Sequence, residues 1–130
     1  MTMPLKKKIK GVVKNGKARG RTFGFPTINI ETHLRPKIKQ GVYVCRLNID
    51  DETYYGVMHY GQRPTFSERA LRLEVHIFDF DYDVYGTEVT IDFYEFIRST
   101  VRFTSKEKLI EQITKDLIRA REILKEQGFF

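Results

Sequence analysis

The sequence has one cysteine, no tryptophan, four prolines and no apolar run long enough to span a membrane. A lone thiol has no intramolecular partner, which excludes a disulfide-stapled secreted scaffold. Cys45 lies in an apolar run and reads as a buried thiol in a reducing compartment. No helical membrane span is expected. The start Met-Thr-Met-Pro-Leu-Lys-Lys-Lys lacks the apolar centre of a signal peptide, so a cytoplasmic protein that does not engage a membrane is expected. The three histidines, His33, His59 and His76, have no metal-ligand spacing, so zinc is not expected. Acid is also missing locally: residues 1–21 hold eight lysines and arginines and no carboxylate, whereas the remainder holds 15 basic and 17 acidic residues. That imbalance predicts an anionic partner near the N-terminal part, either nucleic acid or the phosphates of a nucleotide. Lys6, Lys7 and Lys8 read more plainly as a solvated tail.

What is present fits one globular domain. The chain has 130 residues, 41% hydrophobic and 31% charged, enough to bury one core. The expected layout over 1–130 is a basic tail at 1–8, a barrel at about 9–98 and a helix at about 105–126. Lys8–Val13 reads as a first strand, ended by a turn at Asn15-Gly16 and a loop from Lys14 to Arg21. A strand follows Pro26, then an irregular connection from Glu31 to Gln40. Val42–Ile49 and Thr53–Tyr60 read as a hairpin around Asp50-Asp51-Glu52, with Tyr43, Cys45, Leu47 and Ile49 on one face. Gly61-Gln62-Arg63-Pro64-Thr65 breaks the pattern. Leu71, Leu73, Val75 and Ile77 then alternate with Arg72, Glu74, His76 and Phe78, and Val89, Ile91 and Phe93 alternate with Thr90, Asp92 and Tyr94. About six short strands imply an antiparallel barrel or sandwich. From Thr104 the period becomes helical, with Leu109, Ile110, Ile113, Leu117, Ala120 and Leu124 on one stripe expected to close a side of the barrel. Thr104 with Glu107 matches a capping box, Ser105 is the alternative cap, and Gly128 is the expected stop.

The densest local signal is Gly20-Arg21-Thr22-Phe23-Gly24-Phe25-Pro26-Thr27-Ile28-Asn29. Pro26 fixes its own φ and pushes Phe25 towards an extended conformation. On the strand that follows, Thr27 and Asn29 share a face, presenting a hydroxyl and an amide oxygen to one side. Two neutral oxygens suit a hard cation such as Mg²⁺, which keeps waters and substrate phosphates for its other positions; a polar strand face without metal is the simpler reading. Gly11-Val-Val-Lys-Asn-Gly16-Lys17-Ala18 nearly spells a P-loop, but Ala18 stands where a hydroxyl is required and strand signals follow instead of a helix. Backbone N–H groups near Gly16 and Gly20, with Lys17, Arg19 or Arg21, are left as a phosphate nest. Glu74 reads as the one carboxylate in the middle of a well-patterned strand and is a candidate general base, although a mid-strand acid more often just faces solvent.

Taken together, Gly11-Val-Val, Gly20-Arg21, Gly24-Phe25-Pro26-Thr27-Ile28-Asn29, Gly41-Val42-Tyr43, Gly61-x-Arg63-Pro64-Thr65-Phe66, Glu74-Val-His76, Tyr85-Gly86 and Arg98…Phe103-x-Ser105 resemble the riboflavin kinase family. The likeness is to the kinase module of bacterial bifunctional riboflavin kinase/FMN adenylyltransferases and runs from about Lys10 to Leu124. It implies a closed six-stranded antiparallel Greek-key barrel with a C-terminal helix. It also implies transfer of the ATP γ-phosphoryl group to the riboflavin 5′-hydroxyl, giving FMN and ADP. By position, Gly16, Lys17, Arg19, Gly20 and Arg21 would hold nucleotide phosphates, Thr27 and Asn29 would ligate Mg²⁺, and Glu74 would be the base. Arg98 and Phe103 would face the flavin or the product phosphate.

The chain departs from the family pattern at His59-Tyr60, where Asn-Ile is usual, and at Ser99-Thr100-Val101, where an acid is usual; both bear on flavin affinity and turnover. The expected partners are the small molecules riboflavin and ATP. The resemblance leaves open a natural stand-alone kinase or a module excised from or fused to an FMN adenylyltransferase domain, and FMN without FAD is its expected product. The alternatives are a flavin-binding or regulatory module with weakened catalysis and, third, a barrel that binds single-stranded nucleic acid.

Overall fold

The computed structural model describes residues 7–22, 25–32, 37–62 and 71–129, with residues 7, 15–22, 62, 71 and 72 described by their backbone. Six strands and one helix follow in order: β1 (Lys7–Thr22), β2 (Phe25–Glu31), β3 (Gly41–Ile49), β4 (Glu52–Gln62), β5 (Leu71–Ile77), β6 (Glu88–Arg98) and α1 (Lys106–Glu126). The strands close into a barrel in the order β1-β2-β5-β4-β3-β6, and every neighbouring pair is antiparallel. β3, β4 and β5 form a meander and β6 returns to lie beside β3, which is the Greek-key arrangement. Among the described residues, no helix is long and apolar enough to cross a membrane.

Alternation decides which side chains fill the interior. Ile28, Ile30, Cys45, Leu47, Met58, Leu73, Val75, Val89, Ile91 and Phe93 all point inward and form one core. Burial in that apolar interior pushes the Cys45 thiol well above its usual range, because nothing there solvates a thiolate. At Gly56 a Cβ would meet the His76 carbonyl oxygen of the neighbouring strand, so the bare backbone lets β4 and β5 approach. The β3–β4 connection is a two-residue turn with positive φ at Asp50 and Asp51, the twist that a tight hairpin requires.

Two expectations change here. β1 does not stop at Asn15-Gly16: it runs on to Thr22, paired with β2 through Asn15↔Asn29, Arg19↔Thr27 and Thr22↔Phe25, with register shifts between these pairs. The expected loop from Lys14 to Arg21 is therefore an irregular strand. Pairing with β2 at Asn15, Arg19 and Thr22 keeps it in the sheet, and the shifts absorb the residues between as bulges. β1 also begins inside the expected tail, since Lys7 and Lys8 already pair with Phe93 and Asp92. Likewise β4 continues through Gly61 and Gln62, while Arg63, Pro64 and Thr65 lie outside the described residues.

The helix does not close the barrel, which its own strands close. It lies on the outer wall, where Ala120, Ile123 and Leu124 pack against Val42, Val44, Val57 and Phe78. Outward-facing valines on β3 and β4 thus form a second core. Ser105 is the N-cap, its hydroxyl accepting from the Lys108 N–H at 3.2 Å. Gly128, at φ 83°, ends the helix. The Gly128 N–H donates to Lys125 O and the Phe129 N–H to Leu124 O, a complete Schellman motif. Phe129 then stacks on Tyr55 with ring centroids 5.3 Å apart.

Candidate active site

One row of the sheet carries the site. Asn15 is opposite Asn29, Asn29 opposite Glu74, Glu74 opposite His59, His59 opposite Val42 and Val42 opposite Arg98. Directly opposed residues share a face and lie one strand spacing apart. Register alone therefore gathers Asn29, Glu74, His59 and Arg98 along the outer wall, although each lies on a different strand. On the next row Arg19 opposes Thr27, and His76 opposes Val57.

A cavity of about 690 Å³ opens over these rows, between the barrel wall, the segment 101–105 and α1. Thr27, His59, Glu74, His76, Arg98 and Phe103 line it, and Val42, Val57, Leu109, Ile113 and Leu117 give it apolar walls. Four of the sequence-predicted residues, Thr27, Glu74, Arg98 and Phe103, thus face one space. Asn29 adjoins it through Glu74. The predicted phosphate-binding residues Gly16, Lys17, Arg19, Gly20 and Arg21 lie on the β1 backbone that pairs with β2 beside Thr27.

Arg98, which lines the cavity, is also held by an acid on the helix. Its Nε donates to Asp116 Oδ1 and Oδ2 at 2.9 and 3.0 Å, and its Nη2 donates to Oδ2 at 2.7 Å. Gln112 donates to the same carboxylate at 2.9 Å. The guanidinium carbon stands 5.8 Å from the centre of the Phe103 ring. This buried ion pair ties the end of β6 to α1 and fixes the rim on which Phe103 sits. Sequence reasoning missed Asp116. The available signal was an acid three residues after Ile113 and four before Ala120, inside the apolar stripe of the helix.

His76 was also missed. Its Nδ1–H donates to the Pro26 carbonyl at 2.7 Å, which anchors the start of the Pro26-Thr27-Ile28-Asn29 strand to β5. Burial is the main cause that pushes its pKa down, the Pro26 bond opposes this, and Arg121 adds to the fall. Glu74 is not unique as a mid-strand carboxylate, since Asp92 holds that position in β6 but is buried against Arg46.

A divalent cation fits the polar row. Asn29 Oδ1 is a buried oxygen with no hydrogen-bond partner among the described residues, and such an atom costs free energy until something electropositive reaches it. The Thr27 hydroxyl shares its strand face, and Glu74 adds a carboxylate one strand away. A neutral amide oxygen, a hydroxyl and a nearby carboxylate are donors that Mg²⁺ takes.

The sheet thus sets the Glu74 carboxylate on the outer wall of a Greek-key barrel, beneath a cavity roofed by α1 and one strand away from Thr27 and Asn29. The sequence model of the riboflavin kinase family (Flavokinase) matches residues 3–124, and the chain belongs to that family. It is 43% identical over 111 residues to the bifunctional riboflavin kinase/FMN adenylyltransferase of Listeria monocytogenes, covering 82% of this chain and 35% of that protein. It is 36% identical over 110 residues to the RNA-binding riboflavin kinase RibR of Bacillus subtilis, covering 84% of this chain and 47% of that one. Among solved structures, the riboflavin kinase of Trypanosoma brucei superposes with a TM-score of 0.65 at 23% identity, covering 94% of this chain and 79% of that one; this likeness supports the fold. The chain spans about a third or less of the length of the multifunctional relatives it matches.

Proposed function

We propose that this chain transfers the γ-phosphoryl group of ATP to the 5′-hydroxyl of riboflavin, releasing FMN and ADP. The observation that carries this is that Glu74, with His59 opposite it on one side and Asn29 on the other, opens into one cavity with Thr27. The riboflavin hydroxyl oxygen bonds to the γ-phosphorus, the bond to the bridging β,γ oxygen breaks, and the hydroxyl proton passes to the Glu74 carboxylate. Alignment and charge neutralisation dominate such a transfer. Thr27 and Asn29 would hold Mg²⁺, which neutralises phosphate charge when bound. The β1 backbone at Gly16 and Gly20, with Lys17, Arg19 and Arg21, supplies N–H groups and cations for the nucleotide phosphates. The apolar walls Val42, Val57, Leu109 and Leu117, with the Phe103 ring at the rim, suit a flat aromatic ring system. An FMN adenylyltransferase domain is the natural fusion partner, as in the Listeria relative, and the buried thiol of Cys45 supports a cytoplasmic setting.

A second reading, nucleic-acid binding, has two observations in its favour: a relative of similar length of match is named RNA-binding, and residues 1–21 are basic without an acid. Incubating the chain with riboflavin, ATP and Mg²⁺, with and without metal, and separating the flavins decides between the two. Metal-dependent FMN without FAD is the expected outcome. No FMN, together with salt-sensitive retention of RNA, would replace the kinase with the binding module.

A further inference from the structure

We propose that His59 is a positioning residue of this site, holding the Glu74 carboxylate in the orientation that faces the cavity. The proposal rests on the kinase reading. His59 and Glu74 are directly opposed in the β4–β5 ladder, and both line the cavity. Opposed side chains have Cβ atoms about 4.5–5.5 Å apart, a span across which an imidazole N–H reaches a carboxylate oxygen.

The imidazole is confined on its other sides. A side chain at Gly61 would meet Thr100 Cγ2 at 3.1 Å, Gln40 Oε1 at 3.4 Å and His59 Cε1 at 3.5 Å. The ring edge thus stands beside the space left open at Gly61. Gln40 precedes β3 and Thr100 follows β6, so the ring is set between two segments at the edge of the site. Glu74 itself lies between Asn29 and His59 on its two neighbouring strands. Asn29 turns its amide oxygen to a buried position, and His59 brings an imidazole to Glu74 from the opposite strand. Across the ladder His59 faces Val42, which offers no competing polar group.

Other charged groups share the cavity with Glu74 but come from other rows and elements. Arg98, beyond Val42, is engaged by Asp116. His76, one row away, gives its Nδ1 to Pro26. Arg102 and Lys106 reach the cavity from the segment before α1 and from its first turn. His59 thus acts through Glu74 and not on the substrate. A misplacement of about 1 Å at a reacting group costs on the order of 10²-fold in rate, which sets the scale expected for its loss.

Two measurements test this. In steady-state kinetics, His59→Ala should lower kcat by at least about tenfold while both KM values stay within about twofold, and His59→Asn, which keeps a donor at the same reach, should recover most of kcat. Independently of turnover, the imidazole ¹⁵N resonances of His59 should move in Glu74→Gln by more than those of His76. If kcat survives His59→Ala, or if the His59 resonances ignore Glu74→Gln, the proposal is overturned. Should His59→Ala not fold, the ¹⁵N comparison in Glu74→Gln still decides. Absence of FMN from the unsubstituted chain would remove the kinase reading alone, because the resonance test stands without it.

Discussion

The outer wall of the barrel carries two polar rows with opposite fates. In one, Asn29, Glu74 and His59 sit side by side, and Glu74 and His59 open into the cavity. In the other, Lys8, Asp92, Arg46 and Tyr55 lie across β1, β6, β3 and β4. Asp92 there is 1% exposed and accepts from Arg46 Nε and Nη2 at 3.1 and 2.8 Å, with Lys8 Nζ at 3.9 Å and the guanidinium over the Tyr94 ring. Both acids come from strands with the same alternating pattern. The difference is the cover: the Asp92 row is sealed by its own cations and aromatics, whereas α1 leaves a space over the Glu74 row. An acid on a strand becomes chemically useful when its outward side has room for a substrate.

Substitutions can break this contrast, and the largest effect belongs to the open row. Glu74→Gln should reduce kcat by about 10²–10⁴-fold, the usual contribution of a general base, while calorimetry still finds flavin and nucleotide binding. Turnover near that of the parent would remove Glu74 from the mechanism. In the closed row, Asp92→Asn should leave kcat per folded molecule unchanged but cost about 3 kcal/mol in urea unfolding, since it breaks a buried ion pair. A loss of activity without a loss of stability would show that the two rows are not separate.

Smaller effects sharpen the picture. Thr27→Ala and Asn29→Ala should each raise the Mg²⁺ concentration needed for half-maximal turnover; an unaltered Mg²⁺ dependence in both would overturn the metal assignment. His76 supplies the smallest effect. Its folded pKa lies below the unfolded value of 6.5, so the unfolded chain binds more protons just under that pH. Its contribution is therefore complete above pH 6.5, declines as pH falls towards the folded value, and levels off beneath it. Thermal unfolding of His76→Asn from pH 7 to 5 should show a shallower decline than the parent, and identical slopes would contradict it.

Much of this contrast was legible in the residue order. Alternation at Leu73, Val75 and Ile77 separates the core face from Glu74 and His76, and Pro26 starts the strand on which Thr27 and Asn29 share a side. Ser105 and Gly128 mark the ends of the helix. What could not be read was lateral. Which residue of β4 opposes Glu74 depends on how the whole barrel is staggered, so His59 looked like an isolated change and not a neighbour of the base. The turn signal of Asn15-Gly16 was local, and pairing with β2 overrode it. That Asp92 and Asp116 are buried could not be read, because their partners, Arg46 and Arg98, come from other elements.

The closure of the barrel has a consequence for how the protein reaches its working state. β1 and β6 meet through Lys7↔Phe93 to Val12↔Glu88, joining segments near opposite ends of the sequence, whereas β3, β4 and β5 pair with their chain neighbours. Long-range pairings pay loop-closure entropy before any contact rewards them, and they slow folding. The row from Asn15 to Arg98 draws one residue from every strand, so no partly assembled chain can contain it. After dilution from denaturant, the meander can form early, but FMN production should return only with the slowest refolding phase, making enzymatic activity a stricter clock of assembly than secondary structure.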